Sequence, residues 1–297
     1  MKGPMLDLAG RVGRAAGAIA AGAVMLAGCG GDDDGPSART PGDVQDPSAE
    51  AAQTERLDRV VRIGANRTLY LRCSGTGSPT VLMEAGDGDT SESYAFAEEP
   101  IAKVTRTCVY DRANLGRSGP APGPRGLTDL VDDLERLLRA ARVPAPYVLV
   151  GTSGGGYITA GYAVANPRQV AGMAFIETPG PFRDPPPEIV GETDPDNPEN
   201  VERRDYLQVE RDAWAARKRI GSIPVSVVTD KPSAAAIRES PFPSERRALR
   251  SNVEVQKGWL VLSPRAKQIV VRTGHAVEEE DPELVVSVIL GVVKAAR

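Results

Sequence analysis

The sequence predicts one large α/β domain with a parallel sheet at its centre. Short apolar runs rich in Val, Ile and Leu recur along the chain, and stretches of helical periodicity lie between them. The clearest run, Tyr147 to Val150, enters Gly151-Thr152-Ser153-Gly154-Gly155-Gly156, and the helix-compatible Tyr157 to Ala165 follows before Asn166-Pro167 stops it. Strand, sharp turn and helix in that order are the repeating unit of a parallel sheet. Of the 297 residues, about 240 remain once an N-terminal leader and linker are set aside, which suits one domain with an excursion. A hydrophobic fraction of 41% with 26% charged residues excludes a collagen-like, wholly disordered or polytopic membrane chain. The net charge of −4 becomes −6 without residues 1–28, where Lys2, Arg11 and Arg14 outweigh Asp7, and this argues against a nucleic-acid partner.

Residues 1–29 read as a targeting segment. Lys2, Arg11 and Arg14 precede a run of small and apolar residues from Ala15 to Ala27 that is too short for a permanent membrane span. Leu26-Ala27-Gly28-Cys29 closes it and resembles the lipobox of bacterial lipoproteins, in which Cys29 would be lipidated and become the new N-terminus. The alternative is an ordinary cleaved signal peptide. Residues 30–56 are rich in Gly, Pro, Asp and Ser and carry almost nothing large and apolar, so they are expected to form a disordered tether. The folded domain then spans 57–297, exported and lipid-anchored on the outer face of the cell membrane, or secreted.

Strands are expected at Val60–Ile63 and Thr68–Arg72 around a turn at residues 64–67, then at Thr80–Glu84 and Thr107–Tyr110. Leu127, Leu130, Val131, Leu134, Leu137, Leu138 and Ala141 recur at helical spacing, with Asp residues near the start and Arg residues near the end to suit the helix dipole. Val170–Ile176 is a buried strand that ends in Glu177. From about 181 to 223 the pattern breaks into a Pro-rich, acidic stretch with a helix from about Val201 to Arg217, read as a lid. A strand at Pro224–Thr229 ends at Asp230, a helical segment covers about 244–262, and a strand at Lys267–Val271 leads to Gly274-His275. Asp281-Pro282 starts a last helix through Val292, with Asp as cap and Pro at the first position.

The chemistry converges on Ser153. Gly151 to Gly155 fits G-x-S-x-G, the elbow that exposes a serine at the top of a parallel sheet. A phosphate cradle would need Lys-Ser/Thr after the glycines or G-x-G-x-x-G spacing, and neither is present. A serine hydroxyl needs a base held by a carboxylate, and His275, 122 residues further on, is the one histidine of the chain. Glu177 and Asp230, each emerging from a late strand, are the candidate acids. The loop Ala85-Gly86-Asp87-Gly88 lies upstream of the elbow, where an oxyanion donor is required, so the backbone N–H groups of Asp87 and Gly154 are assigned to the oxyanion hole. Asp111 and Arg112 read as loop anchors rather than catalytic groups. If Cys29 takes lipid, Cys73 and Cys108 remain as an even pair in an oxidising compartment, with two buried thiols as the alternative. Glu278-Glu279-Glu280-Asp281, after the histidine, suit neutral or cationic substrates over anionic ones, or are only a solvated charge run.

Tyr110-Asp111-Arg112 with Gly116-Arg117-Ser118, the Gly151 to Gly155 elbow and Gly274-His275 together resemble the α/β-hydrolase superfamily, over roughly residues 58–297. The resemblance implies a mostly parallel eight-stranded sheet with helices on both faces and a cap after the sixth strand. It makes the second and fourth strands neighbours, which brings Cys73 towards Cys108. It also allows the acid after the sixth strand, and Glu177 is preferred there over Asp230. The chain departs from the common pattern at Thr152, where His is frequent, at Ala85-Gly86-Asp87 in place of His-Gly, and after the seventh strand, which lacks Gly-x-x-Asp. Serine at 153 sets it apart from the haloalkane dehalogenases and epoxide hydrolases of the superfamily, which carry Asp there. The expected activity is hydrolysis of a small-molecule ester or related acyl bond through an acyl-enzyme, with no metal and no cofactor. An aminopeptidase-like or acyl-transfer enzyme and a non-catalytic tethered binding protein are the alternatives, and the oligomeric state is not legible.

Overall fold

A computed structural model describes residues 56–181, 183, 195–198 and 200–297. The expected signal segment, its Cys29 and almost all of the tether lie outside the described residues, as does part of the expected lid. Eight strands form one sheet in the order β1-β2-β4-β3-β5-β6-β7-β8. They are β1 (Leu57–Gly64), β2 (Arg67–Ser74), β3 (Thr80–Glu84), β4 (Thr107–Tyr110), β5 (Tyr147–Thr152), β6 (Val170–Ile176), β7 (Val225–Asp230) and β8 (Ala266–Val271). Only β2 runs against its neighbours; from β4 to β8 every pairing is parallel. This is the α/β-hydrolase sheet that the sequence predicted.

The central strands read as unbroken apolar runs because both faces of the sheet are covered. Tyr147 and Leu149 of β5 and Met173 and Phe175 of β6 enter one core, and Val148, Val150, Ala174 and Ile176 enter the other, as the two-residue side-chain period requires. Helices α2 (Leu127–Ala141), α3 (Gly155–Ala165) and α4 (Tyr206–Ala215) lie over the first core, and α1 (Ala95–Ala102) and the C-terminal helix over the second. Each fully buried Val, Leu or Ile side chain contributes about 1.5–3 kcal/mol. The apolar stripe of α2 is buried as its periodicity predicted, and Arg142 ends the helix in the left-handed region at φ 56°. Three further helices follow β7: α5 (Ala234–Glu239), α6 (Pro243–Gln256) and, after β8, the single turn α7 (Val277–Glu280). The last, α8 (Pro282–Ala296), is capped by the Asp281 side chain accepting the Leu284 N–H at 3.0 Å.

Cys73 and Cys108 face each other across the antiparallel β2/β4 pair, 4.1 Å apart at Cα, and are joined as a disulfide. Closing a loop of 35 residues in the unfolded chain gives such a bond about 4 kcal/mol in the chain-entropy account. The structure adds α1, α5 and α7 to the elements expected from sequence. It also starts α4 at Tyr206 rather than near Val201, because Glu202 and Arg204 are drawn into buried ion pairs and Arg203 takes φ 55°.

Candidate active site

The elbow is built by close backbone approach. A methyl group added at Gly151 would meet Gly156 Cα at 2.5 Å, and one at Gly155 would collide with the carbonyl of Ala85, so neither position tolerates a side chain. Between them Ser153 sits in the left-handed region at φ 48°, its N–H donating to Ile176 O at 2.9 Å. A non-glycine residue there stores strain of about 1–3 kcal/mol, which the packed strand and helix on either side sustain. Thr152, the residue before the serine, exchanges a 2.6 Å hydrogen bond with the buried Tyr94 hydroxyl.

Glu177, just past β6, is the other strained residue of the site, at φ 45°. The β8–α7 loop carries His275 between these two residues. Its Nε2 lies 3.1 Å from Ser153 Oγ and its Nδ1 3.2 Å from Glu177 Oε2. A carboxylate only accepts, so Nδ1–H donates to Glu177 and Nε2 is left to receive the Ser153 hydroxyl. The hydrogen bond and charge of Glu177 raise the His275 pKa above its ordinary 6.5, against a smaller lowering from burial. Glu177 is itself held by neutral donors. Its Oε1 accepts from Asp230 N–H at 2.7 Å, Gln256 Nε2 at 2.8 Å and Asn252 Nδ2 at 3.1 Å. Asn252 and Gln256, four residues apart on one face of α6, were not singled out in the sequence, where only their i, i+4 spacing hinted at a common face.

Asp230, the alternative acid, does not reach His275. It is the last residue of β7, and its Oδ1 accepts the Thr273 N–H at 3.1 Å, bracing the loop that carries the histidine. The two carboxylates thus divide the work: one touches the imidazole and the other fixes its loop.

On the opposite side of Ser153, the N–H groups of Asp87 and Gly154 make no hydrogen bond among the described residues, and that of Gly88 donates to Glu202 Oε1 at 2.8 Å. Gly154 opens α3, so its amide also points along the positive end of a helix dipole. Arg112 secures the loop from below: Nη1 donates to Glu84 Oε1 at 2.8 Å and to Ala85 O at 2.7 Å, and Nη2 donates to Gly86 O at 2.5 Å. It also pairs with Glu202, whose carboxyl is held far below the ordinary range by Arg112 and Arg204 despite burial. Asp111 accepts from the N–H groups of Ser91 and Arg117 at 2.8 Å each, so both residues anchor loops, as expected. In the acidic run, Asp281 is a helix cap, while burial raises the Glu278 carboxyl and that of nearby Asp89.

The arrangement can deliver a proton-relayed serine nucleophile to a carbonyl whose oxygen lies against two amides. The family model described as alpha/beta hydrolase fold matches residues 79–226. The chain is 35% identical over 103 residues to the uncharacterized protein YqjL of Bacillus subtilis (strain 168), which covers 35% of this chain and 41% of the relative. It spans less than half the length of the first curated relatives it matches. Among solved structures it is similar to a thermophilic esterase from Thermogutta terrifontis, with a TM-score of 0.53 at 21% identity, covering 82% of this chain and 99% of the other. The carboxylesterase CesB from Bacillus subtilis gives a TM-score of 0.57 at 15% identity, covering 83% and 94%. At these identities the structural likeness is one of fold. With that sheet, that strand order and a family match over residues 79–226, the chain has the α/β-hydrolase fold.

Proposed function

We propose that the protein is a serine hydrolase that cleaves an ester or related acyl bond of a small molecule through an acyl-enzyme. The observation that carries the reading is the continuous contact from Ser153 Oγ to His275 to Glu177, at 3.1 and 3.2 Å. His275 takes the hydroxyl proton as Ser153 attacks the carbonyl carbon, and the substrate oxygen gains its negative charge between the N–H groups of Asp87 and Gly154. The imidazolium then protonates the leaving oxygen as that bond breaks, giving the acyl-Ser153 ester. Water, deprotonated by the same imidazole, repeats the steps and releases the acid. Glu177 keeps Nδ1 protonated and stabilises the imidazolium.

A fluorophosphonate probe should add its phosphonyl group to Ser153 of the wild-type protein, located by peptide mass. Ser153→Ala should remove both labelling and p-nitrophenyl acetate hydrolysis. Equal labelling of the variant, or adduct at another residue, would sink the reading. The leader features further support a tethered enzyme working outside the cell membrane, and Cys29→Ser should release the domain into the medium.

A further inference from the structure

Asp87 brings two groups to the site. Its N–H is one oxyanion donor, and its carboxylate lies against the other: a methyl group built at Gly154 would collide with both carboxylate oxygens. A bare carboxylate there would oppose the charge that develops on the substrate oxygen. One residue meets it. Arg204 is fully buried and donates from Nη1 to Asp87 Oδ1, and from Nε and Nη2 to Glu202 Oε2 at 3.0 and 2.9 Å. We propose that Arg204 is a positioning residue of the oxyanion hole, whose guanidinium neutralises and holds the Asp87 carboxylate so that the amides of Asp87 and Gly154 face the substrate oxygen unopposed.

Three features support an electrostatic role over a plain structural bridge. Arg204 cannot turn to the substrate, because its three donor groups are committed and no part of its side chain is exposed, whereas the Asp87 side chain is 35% exposed. The pair closes a chain of alternating charges, Glu84, Arg112, Glu202, Arg204 and Asp87, that starts at the end of β3 and ends beside the nucleophile. The same chain holds three groups of the loop: the carbonyls of Ala85 and Gly86 on Arg112, and the Gly88 N–H on Glu202. Arg204 is pinned in turn by Asn200, whose side-chain oxygen takes the Arg204 N–H at 3.1 Å and whose amide donates to Arg204 O at 2.8 Å.

The proposal rests on the serine-hydrolase reading, and the test separates the two. For the full chain, p-nitrophenyl acetate turnover would be measured in wild type, Arg204→Gln and the double variant Arg204→Gln with Asp87→Asn, alongside fluorophosphonate labelling. A unit charge about 5 Å from the oxyanion in a site of effective dielectric near 20 is worth about two- to three-hundredfold in rate, so Arg204→Gln should lower kcat by about that factor. KM should stay within about threefold, since the interaction belongs to the transition state. Adding Asp87→Asn removes the opposing charge and should restore at least about tenfold of the lost kcat, a recovery that loss of a structural bridge cannot give. A double variant no faster than Arg204→Gln, or Arg204→Gln at wild-type kcat, overturns the proposal while wild-type labelling keeps the parent reading intact; an unlabelled wild type overturns the parent. If Arg204→Gln does not fold by circular dichroism, Arg204→Lys keeps the charge and should hold kcat within about tenfold, and a hundredfold loss there would also overturn the proposal.

Discussion

The two sides of Ser153 treat their carboxylates in opposite ways. Glu177, on the histidine side, is held by neutral donors: the Asp230 N–H, Asn252 and Gln256. Gln256 is itself oriented by the Thr229 hydroxyl, which donates to its oxygen at 2.9 Å, and Gln268 donates to Thr229 at 3.0 Å, so the whole chain of donors runs towards Glu177. On the oxyanion side, Glu202 and Asp87 are held by Arg112 and Arg204. Neutral amides satisfy the lone pairs of a buried carboxylate and leave its charge for the imidazolium. Guanidiniums satisfy the lone pairs and cancel the charge as well. The same residue type therefore supports positive charge on one side and does not obstruct negative charge on the other.

Removing the uncancelled charge breaks the comparison most severely. Glu177→Gln keeps the shape but takes away the countercharge and the preferred tautomer, and kcat should fall by about 10³-fold or more with the fold retained. The same variant has a pH signature. The histidine must be neutral to act as base, so its raised pKa means activity is lost on acidification at a pH above 6.5. Glu177 supplies the leading upward influence and burial the opposing one, so in Glu177→Gln the acidic limb of kcat/KM should move to lower pH. An unmoved limb in the variant would show that Glu177 does not govern His275.

A smaller perturbation sharpens the contrast by making one side resemble the other. Asn252 is half-buried on α6, with its side-chain amide on Glu177. Asn252→Lys places a cation beside Glu177 and should partly cancel its charge, lowering kcat by about tenfold and shifting the acidic limb in the same direction as Glu177→Gln. A wild-type limb with a folded variant would mean that the neutrality of the Glu177 cradle is incidental.

Local pattern explains which parts of the site could be read from sequence. The elbow was legible because the strand, three glycines and helix are contiguous, and α2 because its stripe repeats over fifteen residues. Helix α1 escaped notice: it is eight residues long, begins after a 3-10 turn and contains Pro100, so neither length nor periodicity announces it. The cradle of Glu177 and the Arg204 clamp were invisible for a different reason. They join residues 53 to 117 positions apart, and each partner in isolation looks like any polar residue of a helix, strand end or loop. The Arg204 side of the contact falls in a stretch read only as a lid, with no residue of it assigned to the site.

Asp230→Asn should have the smallest effect and is the most discriminating for that reason. In sequence Asp230 and Glu177 are both acidic residues at the ends of adjacent parallel strands that pair Ile176 with Val228. The fold separates them by one hydrogen bond: the Asp230 N–H serves Glu177, and the Asp230 carboxylate serves the Thr273 N–H two residues before the histidine. Asparagine retains both the backbone donor and a side-chain acceptor, so only the charge-assisted part of the Thr273 bond is lost. That is worth about 1 kcal/mol, which predicts a kcat within about fivefold of wild type and a slightly looser His275 loop. Thermal unfolding should shift by only a few degrees, about what 1 kcal/mol gives in a domain of this size. If Asp230→Asn instead lost activity as heavily as Glu177→Gln, the imidazole in solution would be oriented by Asp230, and the division of labour between the two strand ends would have to be reversed.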